Sequence, residues 1–140
     1  MVDRLTHIEP GLVVVRYATR EDLEPTHQHG LLELLDELAL DGPVAVVFDV
    51  PAMMVDASVP NFWLDVVKTR PTLVAMAIAS PSAPVRLAAE SFALALRLRR
   101  HPLSVRTFIS VNKALEWATA ARQAAASGAQ HGPTQNAAAR

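Results

Sequence analysis

No cysteine occurs among the 140 residues, which excludes disulfides, thiol catalysis and cysteine-ligated metals. Glycine is scarce as well, at Gly11, Gly30, Gly42, Gly128 and Gly132. That spacing forms neither a P-loop nor a G-x-G-x-x-G turn, so it disfavours nucleotide binding of either kind. Aromatic residues number seven, and most fall on apolar stripes rather than beside basic clusters. Few remain to stack on single-stranded nucleic acid, and no nucleic-acid partner is expected. The longest apolar runs, Val44–Phe48 and Leu73–Ala79, are far shorter than the ~20 residues of a membrane-spanning helix. The opening MVDRLTHIEP carries charge early and has no continuous apolar core, unlike a signal peptide. These absences point to a cytoplasmic protein with no membrane span.

What is present is apolar residues, 51% of the chain, enough to bury one real core. Charge is divided unevenly. Residues 1–65 hold twelve acids against three bases, and residues 66–140 hold two acids against ten bases. A dipolar surface able to steer a partner, a phosphate or a second copy is one consequence. The simpler expectation is that the two halves interleave in one sheet and their fields largely cancel.

Pro10-Gly11 joins two short alternating or β-branched runs, as in a hairpin. Thr19 with Asp22 three residues on can cap a helix expected over residues 21–40, with Leu31, Leu34, Leu35 and Leu38 on one face. Gly42-Pro43 stops it. VAVVFDV, residues 44–50, is almost unbroken in apolar residues and reads as an interior strand. The loop PAMMVDAS then leads into a short helix over 59–69. A strand from Leu73 to Ala79 and a helix from Ala83 to Arg99 follow, with Val85, Ala88, Ala89, Phe92 and Leu96 on one stripe. A last strand over 105–109 and a last helix over 112–122 complete the pattern, with Trp117 covering a sheet edge. Residues 123–140 lack aliphatic anchors and read as a disordered tail. The expectation is a single α/β domain over residues 1–122, with a mixed, mostly parallel sheet of about five strands, an N-terminal β-hairpin and about four helices.

The Pro-Gly hairpin, VVFDV, VAMAIAS, VRTFIS and NKALEWA occur in an order that resembles STAS-like proteins. These are relatives of the bacterial anti-sigma factor antagonists, the SpoIIAA-like group. The likeness covers about residues 3–120. It implies the SpoIIAA/STAS-like fold and a non-catalytic signalling regulator that binds a protein partner, commonly a kinase-type anti-sigma factor. It further implies a phosphoacceptor at the head of the helix after the central strand. That position falls on Ser58, although Ala57 rather than Asp precedes it and Val59-Pro60 stand where the motif has Ser and Gly. Ser58 can equally serve as a helix cap ahead of Pro60.

Met53, Met54, Val55, Phe62 and Trp63 form the candidate partner-binding face, on the loop and helix 51–68. They can equally cover the sheet end as core. A small-molecule or lipid-binding module of SEC14-like type is a second reading, with a cavity lined by Met53, Met54 and Trp63. A homodimerising scaffold using the charge asymmetry is a third. Asp49, Ser80 and Lys113 imitate a response-regulator receiver, but the acidic pair after the first strand is missing, and Asp49 is expected to bond the backbone of the 51–54 loop. His27 and His29 lack a third ligand, so no metal is expected. No serine–histidine–aspartate motif is recognisable, and no enzymatic activity or cofactor is expected.

Overall fold

The computed structural model describes residues 5–138, with side chains over residues 9–128. β1 (Leu5–Glu9) and β2 (Leu12–Arg16) form an antiparallel hairpin, and β3 (Val44–Asp49), β4 (Leu73–Ala79) and β5 (Ser104–Phe108) follow β2 in parallel. The strand order is β1-β2-β3-β4-β5, without crossover past a neighbour. Between the strands run α1 (His29–Leu38), α2 (Ser58–Lys68) and α3 (Ala83–Leu98), and α4 (Val111–Ala138) follows β5. The coarse expectation, an α/β chain with a mostly parallel sheet, holds.

The sheet's two faces differ in side-chain size, and that difference sorts the helices. Val13, Val15, Val46, Phe48, Met76 and Ile78 share one face with the buried residues of α1, α2 and α3. Leu12, Val14, Ala45, Val47, Ala75, Ala77 and Ala79 point to the other, where α4 alone packs through Ala114 and Ala118. Alternation along each strand produces this division. Small residues on both sides let α4 approach closely, whereas large ones fill the thicker layer under three helices.

The hairpin turn needs its glycine. Gly11 has φ +81°, and a Cβ there would stand 2.7 Å from the Pro43 carbonyl oxygen and 3.0 Å from Arg122 Cδ. Arg122 reaches this turn from α4 and pairs with Glu9 at 3.3 Å, tying the last helix to the first hairpin.

Three expectations are corrected. The helix expected over 21–40 begins only at His29; residues 20–27 form two short 3-10 turns instead. Pro25 has no amide proton and pushes Glu24 into an extended conformation (φ −60°, ψ 140°), which breaks the ladder. The last helix does not end at Arg122. Its backbone continues to Ala138, carried past the last core contact at Ala121 by the alanines at 124–126, the strongest helix formers. Residues 139–140 of the expected tail lie outside the described residues. The third correction concerns charge. The strands of the two halves follow in sequential order instead of interleaving, and the halves still meet in ion pairs, Arg70 with Asp36 at 2.9 Å and Arg122 with Glu9 at 3.3 Å.

Candidate functional site

Parallel strands end at one edge of the sheet, and the loops leaving those ends are where α/β sites are built. Here the loops are residues 17–28 after β2 and 50–57 after β3. Their side chains first make a buried aromatic row. Tyr17 stacks on Phe48 at 5.9 Å, Trp63 meets Phe48 edge-on at 5.2 Å, and Phe62 meets Trp63 edge-on at 5.5 Å. Tyr17 donates its hydroxyl proton to Gln28 Oε1 at 2.6 Å. Gln28 is 1% exposed, and its Nε2 donates to the carbonyls of Asp22 (2.6 Å) and Glu24 (3.0 Å). Burial pushes the Tyr17 phenol far above its ordinary range. This network pins the first 3-10 turn over the sheet, where Asp22 accepts from the amides of Ala18 (2.8 Å) and Thr19 (3.0 Å).

Below the row lies an apolar cavity of about 80 Å³, bounded by Phe48, Ile78, Val59, Trp63, Ala88 and Ala89 among others. Alanine at 88 and 89, opposite the strand ends, leaves the space unfilled. Of the three residues expected to line a ligand cavity, Trp63 does so and Met53 and Met54 do not.

A second hollow, about 320 Å³, opens to the surface between the 20–26 turn and the 54–59 loop. Met54, Asp56, Ser58 and Val59 line one side, and Arg20, Glu24, Pro25 and Thr26 the other. Ser58 opens α2 and is exposed. It is not the cap. Asp56 takes that role, accepting the Ser58 amide proton at Oδ1 (2.8 Å) while its carbonyl accepts from Val59. The backbone and side-chain hydrogen bonds from Ser58, with the Arg20 charge beyond them, hold the Asp56 carboxyl below the usual carboxylate range. A phosphate on Ser58 would stand at a helix N-terminus near that guanidinium, both of which favour negative charge.

Sequence alone offers no signal that Arg20 and Ser58 line one hollow. The five apolar candidates separate on folding. Met54 is 69% exposed; Met53, Val55 and Phe62 are half-buried against the core, and Trp63 is 7% exposed and belongs to it. Asp49 does not bond the following loop through its side chain; it accepts from Arg16 Nε at 3.1 Å. Lys113 lies 3.7 Å from Glu116 on its own helix, so no receiver-like pair forms with Asp49. His27 bonds the Glu21 carbonyl and His29 pairs with Glu33, and no cluster of three metal-ligating residues occurs among the described residues.

Comparison with protein-family models, with curated proteins and with solved structures gave no hit in any of the three. Among the described residues no helix is long and apolar enough to cross a membrane.

Proposed function

We propose that this chain is a non-catalytic regulatory module of STAS-like type, which docks a protein partner over the hollow between residues 20–26 and 54–59. Ser58 is the position at which phosphorylation switches that docking. One observation carries the reading: the hollow gathers an exposed methionine, an accessible serine in the first helical turn and an arginine from a separate loop. Met54 supplies adaptable apolar contact. Phosphate on Ser58 exchanges a neutral hydroxyl for about two negative charges facing Arg20 and Asp56, altering what the hollow accepts. The order of elements is the one the STAS resemblance implies and adds support.

The test is an affinity capture from the native host with wild type, Ser58→Glu and Met54→Asp, read by mass spectrometry. A partner lost with Met54→Asp and altered with Ser58→Glu is expected. If all three baits return the same proteins, or none, the docking face and the switch both fall.

The apolar cavity favours a second, narrower reading as a small-ligand site. Ligand pockets usually measure ~300–1,000 Å³. At about 80 Å³ this cavity suits only a compact apolar group, not a lipid. Native mass spectrometry showing a small adduct, lost on Ala88→Leu, is the outcome that reading requires.

A further inference from the structure

α3 is sixteen residues long and buries Val85, Phe92 and Leu96 against the rest of the core. On its opposite side, positions 87, 90, 91, 94, 97 and 98 are all exposed. Three of them are leucines. Leu87, Leu94 and Leu98 are between 49% and 77% exposed, so nothing in the described chain covers them. At 3.6 residues per turn the three point within about 40° of one another, away from the core. With Ser91 they step along the helix by four, three and four, the alternation of a coiled-coil seam.

Opposite charges border this stripe on one side. Glu90 and Arg97 each precede a seam position by one residue, and neither forms a salt bridge among the described residues. Within one copy they are about 10 Å apart along the helix, too far to pair with each other.

We propose that α3 pairs with α3 of a second copy, antiparallel about a two-fold axis, to form a homodimer. Setting Leu87 against the partner's Leu98 also sets Ser91 against the partner's Leu94, so each central leucine packs over a small side chain. In that register Glu90 stands beside the partner's Arg97, and Arg97 beside the partner's Glu90, which gives two equivalent ion pairs. A parallel pair would offer Glu90 only Ala88 and Ala95 across the seam and leave its charge unmatched. The face is therefore complementary to itself, in size and in sign, in one orientation. Arg86 stays out of the contact, its guanidinium donating to the Ser80 carbonyl at 2.9 Å, and Arg99 and Arg100 lie past the helix end. Such an isologous contact closes at two chains. With three leucines a side it falls at the small end of specific interfaces, below about 1,200 Å² in total, so the dimer is reversible. This inference is independent of the Ser58 docking reading and uses none of its residues.

Sedimentation velocity on the full chain, from about 5 to 500 µM, tests it. A monomer–dimer equilibrium is expected, with no larger species. Leu94→Glu should weaken it by about tenfold or more. Glu90→Arg and, separately, Arg97→Glu set like charges together at both bridges, and each should weaken it about fivefold. Mixing these two variants should restore wild-type strength, since every bridge in the mixed dimer again joins opposite charges. The three positions are exposed, and unchanged melting curves at low concentration verify that each variant folds. A wild type that stays monomeric throughout overturns the proposal, including one whose α3 face instead binds phosphatidylserine vesicles. So does a dimer insensitive to Leu94→Glu, or a mixture that associates no more tightly than either charge variant alone.

Discussion

At the scale of single residues, three side chains do work that their types alone do not announce. Gln28 is the clearest. Placed in water it is an ordinary polar residue, yet here it joins Tyr17 to two backbone carbonyls in a dry site. Gln28→Leu keeps the volume but strands a phenol and two carbonyls, and should cost about 2–4 kcal/mol in urea unfolding. Arg100 shows the opposite case. It sits at φ +56° just past α3, where the His101 amide bonds back to the Leu96 carbonyl (2.9 Å). A side chain costs ~1 kcal/mol in that conformation, so Arg100→Gly should raise stability by about that amount in thermal melts. Asp56 sets an acid limit. Its folded carboxyl titrates below the unfolded value, so its stabilisation is whole above ~pH 4 and lost as pH falls through the folded value. The Ser58 amide resonance should therefore shift at a pH below that of an ordinary aspartate, and Asp56→Ala should abolish the transition. Gln28 and Asp56 were not legible in sequence because their partners are fixed by the folded path of residues 17–28 and 50–57, not by local pattern.

At the scale of elements, periodicity was informative wherever an element buries a whole face. The α3 stripe Val85, Phe92 and Leu96 is buried as its spacing predicts, and β3 lies in the interior as VVFDV predicts. It failed where local chemistry overrules pattern. Leu23 is spaced like part of the α1 face, yet Pro25 and the Gln28 network place it in a 3-10 turn. The end of α4 departs from the apolar pattern for a related reason, since the absence of core anchors does not stop an alanine-rich helix from propagating. The small-residue seam beneath that helix leads to a sharp expectation. Ala118 is fully buried against a strand face of Ala45, Ala75 and Ala77. Ala118→Leu must push α4 off the sheet and should destabilise by about 1–3 kcal/mol in urea unfolding. Ala120→Leu, two residues on and exposed, should change stability by less than ~0.5 kcal/mol. Equal effects would mean that α4 does not pack as described.

At the scale of the whole molecule, strand order turns a property of the chain into a property of the surface. Twelve acids in residues 1–65 and ten bases in residues 66–140 could cancel if the halves interleaved. The strands of the two halves do not interleave, although α4 of the second half packs on β2 and β3 of the first, and no local motif could have revealed the order, because interleaved and sequential sheets are built from the same strand–helix alternation. The separation matters once salt is considered. At 0.1 M the Debye length is ~10 Å, so a charged surface senses the nearest side chains with little interference from those on the far side of the molecule. The protein carries a net charge of only −1, and its isoelectric point lies near pH 6.5. A chain of that balance with evenly mixed charge should pass through both cation- and anion-exchange resins at pH 7. This one should be retained by both at low ionic strength and released from both by moderate salt. Arg97→Glu with Arg99→Glu should abolish retention on the cation exchanger while lengthening it on the anion exchanger.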